Sequence, residues 1–98
     1  MIIAIASTSK DFKGSVSKQG ARAPYYLLIN EQNEILEALK NPFAKGGGGA
    51  GFSVAKMLEQ KNVQKLIAGK IGDNMQGALQ ERNIEYELAS GLIKDYLK

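Results

Sequence analysis

The chain predicts an α/β fold with element order βββαβαβα. Three observations carry this: an uninterrupted apolar run at the start, two strand-length segments around a turn-forming cluster, and helical spacing of apolar residues after each of two glycine-bearing loops. Ile2-Ile3-Ala4-Ile5-Ala6 has the pattern of a strand covered on both faces and gives way to a polar stretch at Ser7. This is strand 1, and a long loop from Ser7 to Pro24 follows it. Pro24 favours an extended approach to Tyr25-Tyr26-Leu27-Leu28-Ile29, strand 2, which stops at the turn formers Asn30-Glu31-Gln32-Asn33. From Glu34 to Leu39, Ile35, Leu36 and Leu39 alternate with Glu34, Glu37 and Lys40, which suits a half-exposed edge strand. A short helix fits the same residues. Asn41-Pro42 ends the segment at strand length, however, and the turn before it is hairpin-sized, so strand 3 is preferred.

After the glycines, Phe52, Val54, Ala55, Met57 and Leu58 recur at helical spacing as far as Asn62, defining helix 1. Lys65-Leu66-Ile67-Ala68 is a short apolar strand 4 closed by Gly69. Asp73 or Asn74 can cap helix 2, whose Met75, Ala78, Leu79 and Arg82 form an i, i+3, i+4, i+7 stripe. Ile84 to Leu88 reads as strand 5, and Ser90 can cap a last helix presenting Leu92, Ile93, Tyr96 and Leu97. The thioethers of Met57 and Met75 fall on apolar stripes, where packing accounts for them.

The 98 residues make one domain, able to bury about 60 to 65% of its unfolded surface and to fold without disulfides or structural metal. There is no cysteine and no histidine, which removes thiolate chemistry, imidazole acid–base work and nearly all soft or borderline metal ligation. A net charge of +3 mildly favours anionic partners but is far from the dense basic stripe of a nucleic-acid binder. The apolar run near the start is too short for a signal-peptide core or a membrane span and no charged leader precedes it, so a cytoplasmic location and no membrane partner are expected.

If strands 1 to 3 form an antiparallel meander and helix 1 crosses over to a strand 4 parallel to strand 1, three strand ends share one edge. From that edge leave the loops Ser7–Pro24, Asn41–Gly51 and Gly69–Asp73. Two helix N-termini open there, each with unpaired N–H groups and a positive dipole end, and each preceded by glycines that let backbone approach a ligand. The rim carries Lys10, Lys13, Lys18, Arg22, Lys45 and Lys70 against Asp11 and Asp73, a local +4 (six minus two). Arg22 stands where the chain stiffens into strand 2. It can make a bidentate contact to an oxyanion, or it can bond carbonyls to hold the long loop. The run Gly46 to Gly51 is either a flexible connection or a loop that brings Gly47, Gly48, Gly49 and Gly51 up to an anion. With Lys45, Gly69, Gly72 and Asn74 these residues make the candidate binding set. Gly46-x-Gly48-x-x-Gly51 also matches the dinucleotide fingerprint, but a buried parallel strand must run straight into its first glycine, and here an Asn-Pro loop does.

Three segments, Arg22-Ala23-Pro24-Tyr25-Tyr26, Asn41-Pro42 followed by Gly47-Gly48-Gly49-Ala50-Gly51, and Ile67-Ala68-Gly69-Lys70-Ile71-Gly72-Asp73-Asn74 with Ala78-Leu79, together resemble the dinitrogenase iron-molybdenum cofactor biosynthesis family, the NifX-like single-domain proteins. The likeness spans nearly the whole chain. It implies a ribonuclease-H-like α/β fold with a mixed five-stranded sheet in order 3-2-1-4-5 and three helices. It also implies non-catalytic binding or carriage of an iron-sulfur or iron-molybdenum cluster. Many relatives read Ser-x-His-Phe-Gly-Arg where this chain has Ser17-Lys18-Gln19-Gly20-Ala21-Arg22, so Gln19 stands at the family's histidine position. A cluster here must be held non-covalently, by charge and backbone donors, or through ligands lent by a second protein.

A binding module for an oxyanion metabolite, phosphate or carboxylate, uses the same loops and is the alternative. A two-metal nuclease needs acidic residues at strand ends, and strands 1 and 4 carry none. Ser53 has no base to activate it. Tyr25, Tyr26 and Phe43 are better used in packing than as stacking platforms for nucleic acid. Strand 3 or strand 5 can pair across an edge into a homo-oligomer.

Overall fold

A computed structural model describes residues 1–97. Its elements are β1 (Ile2–Ser7), β2 (Tyr25–Ile29), β3 (Ile35–Lys40), α1 (Ala50–Gln60), β4 (Val63–Ala68), α2 (Asp73–Glu81), β5 (Glu85–Leu88) and α3 (Ile93–Tyr96). The strands form one mixed sheet in the order β3-β2-β1-β4-β5. β2 is antiparallel to β1, with Ala6 opposite Tyr26, and β3 is antiparallel to β2. β4 runs parallel to β1, with Ile5 opposite Ile67, and β5 parallel to β4. The carboxyl ends of β1, β3, β4 and β5 therefore lie on one edge, where ligands of open α/β sheets bind.

Strand alternation divides the core. Ala4, Ala6, Tyr26, Leu28, Leu66 and Ala68 face one side and pack under Val54, Ala55 and Leu58 of α1 and Met75, Ala78 and Leu79 of α2. Ile5, Leu27, Ile29 and Ile67 face the other side, covered by Phe12 and Val16 of the long loop and by Ile93 and Tyr96 of α3. Both crossovers are thus on one face, as two right-handed connections travelling the same way along a sheet must be. The alanines of β1 leave room for two helices, and each fully buried Leu, Ile or Val side chain contributes about 1.5–3 kcal/mol. Among the described residues no helix is long and apolar enough to cross a membrane.

Several boundaries differ from the sequence expectation for local reasons. α1 starts at Ala50 because Gly49 is its N-cap with left-handed backbone (φ 82°), which places Gly51 inside the first turn and not in the loop. Neither Asp73 nor Asn74 caps α2: the N-cap is Gly72 in an extended conformation, so Asp73 is already helical and acts on the helix dipole instead. Ser90 does not cap α3 either, since that single turn begins after Leu92. Asn62 and Asn83, with φ near +60° just beyond α1 and α2 (63° and 58°), end those helices. Phe52 lies on the exposed side of α1, outside the apolar stripe that Val54, Ala55 and Leu58 bury.

Candidate functional site

The end of the long loop is stitched across the carboxyl ends of β1 and β4. Ser17 N–H donates to the Ala6 carbonyl (2.7 Å), Gly69 N–H to the Ser17 carbonyl (2.8 Å) and Gly20 N–H to the Lys70 carbonyl (2.8 Å). Two glycines make this approach sterically feasible. A Cβ on Gly69 would lie 2.8 Å from Lys18 Cα, and one on Gly20 would lie 2.9 Å from the Lys70 carbonyl oxygen. Buried Asn41 ties in the third loop: its Nδ2 donates to the carbonyls of Ala21 (3.0 Å) and Ala23 (2.9 Å), and its Oδ1 accepts from Phe43 N–H (2.9 Å). The Tyr26 hydroxyl donates to the Gly20 carbonyl beneath. Burial pushes the pKa of this phenol upward, so it remains a donor.

Between the long-loop end and the β4–α2 loop lies an open cleft of about 320 Å³, lined by Lys18, Gln19, Gly20, Ala21, Arg22, Lys70 and Gly72. Three of the seven lining residues are cations and none is acidic, so the cleft carries positive potential. Gly72 contributes the threshold of α2, whose first N–H groups lack intrahelical partners. The amino end of α1 is alongside: a Cβ on Gly51 would sit 2.9 Å from Met75 Cβ and 3.3 Å from Met75 N. The starts of the two helices are therefore in contact on the rim.

Of the residues expected to bind, Gln19, Arg22 and Gly72 line the cleft, together with the rim cations Lys18 and Lys70. Arg22 uses its fork on carbonyls: Nη1 donates to Phe43 (3.2 Å) and Nη2 to Gly47 (2.5 Å). What it holds is the glycine loop more than the long loop. Lys45, Gly47, Gly48 and Gly49 are exposed, outside the cleft lining, and a Cβ on any of these glycines would meet nothing within 4 Å. Gly51 serves helix packing, and the Gly69 N–H is taken by Ser17. Asn74 is exposed in the first turn of α2 and does not line the cleft. Lys10 and Lys13 belong to a separate turn, organised by Ser9 and Asp11, and do not line it either.

Sequence reasoning left Gly20, Asn41 and Tyr26, which set the cleft's shape, out of the binding set. The one usable signal was Asn41 before Pro42, a small amide at a strand end. Among the described residues no group of His, Cys, Asp or Glu is placed to hold a metal ion.

The profile of a family described as "dinitrogenase iron-molybdenum cofactor" matches residues 1–98. Among curated proteins no sequence matches the chain. Several solved structures share the architecture, among them the following two. A candidate NifB protein from Thermotoga is 28% identical with a TM-score of 0.80, covering 98% of this chain and 83% of its own. The apo form of the orange protein from Desulfovibrio gigas is 22% identical with a TM-score of 0.90, covering 98% and 82%.

Proposed function

The chain belongs to the dinitrogenase iron-molybdenum cofactor family, and from that premise we propose that it carries an anionic iron-sulfur or iron-molybdenum cluster, or a precursor of one, without acting on it chemically. The observation that supports this is the cleft's lining: Lys18, Arg22 and Lys70 converge with no acid among them. The sheet order with α1 and α2 on one face, which we take as ribonuclease-H-like, puts that cleft at the strands' carboxyl ends. The Thermotoga neighbour, described as a candidate NifB protein, points to the same chemistry.

The cargo sits by charge and hydrogen bonding. Lys18 and Lys70 supply point charges on flexible stems, Arg22 a planar fork, Gln19 an amide donor, and Gly72 leads into the unpartnered N–H groups at the start of α2. With no thiolate or imidazole in the chain, open coordination positions on the cargo are filled by its own sulfides or by a partner protein. Lys45 and the glycines at 47, 48 and 49 lie outside the cleft lining and are joined to it through the Arg22 fork on Gly47.

The test is anaerobic reconstitution with iron, molybdate and sulfide, then desalting. Colour is retained by the native chain and lost in the Lys18→Glu/Lys70→Glu double variant. A protein that comes off the column colourless refutes cluster carriage. A cleft of small-molecule size also suits a phosphate or carboxylate metabolite. Amide shifts at Lys70 and Gly72 on adding phosphate, without retained colour, would move the conclusion to an oxyanion-binding module.

A further inference from the structure

Arg22 belongs to two places at once: it lines the cleft, and its guanidinium holds the glycine loop through the Phe43 and Gly47 carbonyls. Among the described residues, the hydrogen bond from Arg22 to Gly47 is the sole one made by Lys45, Gly46, Gly47 and Gly48. The run touches little else, since beyond each glycine's own chain neighbours no heavy atom lies within 4 Å of where a Cβ on Gly46, Gly47, Gly48 or Gly49 would stand. Glycine backbone has the most conformational freedom to regain when released.

We propose that Arg22 is a ligand-sensitive latch: an anion entering the cleft draws the guanidinium off the two carbonyls and frees the glycine run. The inference rests on the anion-binding reading of the cleft given above. Neutral carbonyls, one of them in an exposed bond, hold the fork in the empty protein. The bonds to the carbonyls already have a charged donor, and an anion offers the same N–H groups charged acceptors in bidentate geometry, which adds ion–ion attraction to the hydrogen bonds. Lys18 and Lys70 already line the place where that anion sits. Loading thus converts the segment from Lys45 to Gly48 from a pinned loop into a mobile one, while Gly49 stays held as the N-cap of α1 through Ser53 N–H (3.1 Å), and a partner protein meets different surfaces on the loaded and empty forms. Asn41 stays out of the exchange, because its bonds to Ala21, Ala23 and Phe43 keep the loop's base fixed while its tip moves.

The experiment is a titration of the full chain with inorganic molybdate, followed by amide shifts, the Arg22 Nε–H resonance and backbone order parameters. In the free protein the order parameters of Gly46 to Gly48 stand above about 0.8, and in saturating molybdate they fall below about 0.6 while Arg22 Nε–H shifts. Arg22→Gln gives the low values with no anion present, and Arg22→Lys, which keeps the charge but replaces the planar fork with donors on a single nitrogen of a shorter side chain, does the same. Native-like amide shifts in the sheet of each variant exclude unfolding as the cause. Shifts at Lys70 and Gly72 with unchanged glycine order overturn the latch and leave the binding site standing. Unchanged order in both Arg22 variants also overturns the latch, whatever molybdate does. No shift at Lys70, Gly72 or Arg22 overturns the binding site and the latch together.

Discussion

Gly69→Ala tests whether the cleft's wall is held by backbone contact. The added Cβ would stand 2.8 Å from Lys18 Cα, 3.0 Å from the Ser17 carbonyl oxygen and 3.3 Å from that of Lys18, all main-chain atoms that cannot rotate aside. Residues 17–18 cannot withdraw freely, because Ser17 N–H is bonded to Ala6 (2.7 Å) and its carbonyl accepts from Gly69 itself (2.8 Å). Overpacking of this kind costs about 1–3 kcal/mol, and stretching the Gly69–Ser17 bond adds about 1 kcal/mol. The reduced entropy of the unfolded alanine chain offsets about 0.4–1 kcal/mol. The net expectation is a loss of about 1–3.5 kcal/mol, which for a domain of this size lowers Tm by roughly 4–28 °C. Urea and thermal unfolding measure it, with Gly48→Ala as the control. Nothing lies within 4 Å of a Cβ at Gly48 and its φ is not positive, so that variant stays within about 0.5 kcal/mol of the native chain. If Gly69→Ala unfolds at the same urea concentration as Gly48→Ala, the long-loop end is free to shift, and the stated position of Lys18 loses its support.

The other expectations concern charge, ligation and pH. Gln19→His places an imidazole on the cleft lining, and after anaerobic reconstitution it retains more colour through desalting in 0.5 M salt, a condition chosen to screen charge to about the 3–10 Å range; equal retention in both proteins means residue 19 does not reach the cargo. Gly51→Ala raises helix propensity by about 1 kcal/mol but pushes on Met75 at about 1–3 kcal/mol, so urea unfolding shows a small net destabilisation, and a gain in stability contradicts the close helix contact. At β5, Lys65 (2.6 Å) holds the Glu87 carboxyl below its usual range, with the Tyr96 hydroxyl also donating to it. A depressed carboxyl contributes stability above its unfolded pKa that is lost as pH falls through the lower folded value, so Glu87→Gln is the less stable chain at neutral pH and the gap closes in acid. Burial first, then Glu87, raises Tyr96 to about 12. Its contribution is whole below pH 10 and disappears towards pH 12, and a pH-jump series monitored by tyrosine absorbance follows the loss.

The fold was legible wherever periodicity and burial agree. β2 spans Tyr25–Ile29, as read from Pro24 and the turn formers, and the exposed Ile35 and Leu36 mark β3 as an edge. Helix starts were less legible because both long helices begin at glycines, Gly49 and Gly72, without a side-chain cap. The glycines stand just before α1 as expected, but a search for Ser, Asp or Asn placed the caps of α2 and α3 one or two residues late or early, at Asp73 or Asn74 and at Ser90 instead of Gly72 and Leu92. The cations Lys18, Arg22 and Lys70 were legible as a rim through topology alone. The roles of the individual glycines were not, because a close approach is a property of two segments. Gly20, Gly51 and Gly69 each permit contact with a segment far away in sequence, whereas the space a side chain would take along the conspicuous run at 46–49 is open.

That division bears on how the proposed carriage of a cluster would work in a chain of this composition. A cargo bound through thiolates or imidazoles is released when a coordinate bond breaks. In a chain without Cys or His, a cargo in a cleft of three cations leaves when its charge is better met elsewhere. Affinity then follows ionic strength, because the lining side chains Lys18, Gln19 and Lys70 are exposed and screening reaches them. Transfer to a partner that offers real ligands is downhill by the strength of the new bonds. On the carrier function proposed above, charge draws in the cargo, and the absence of ligands keeps the protein from retaining it against such a partner. Raising salt should therefore empty the native cleft, while a ligand-bearing variant such as Gln19→His holds on and hands over more slowly.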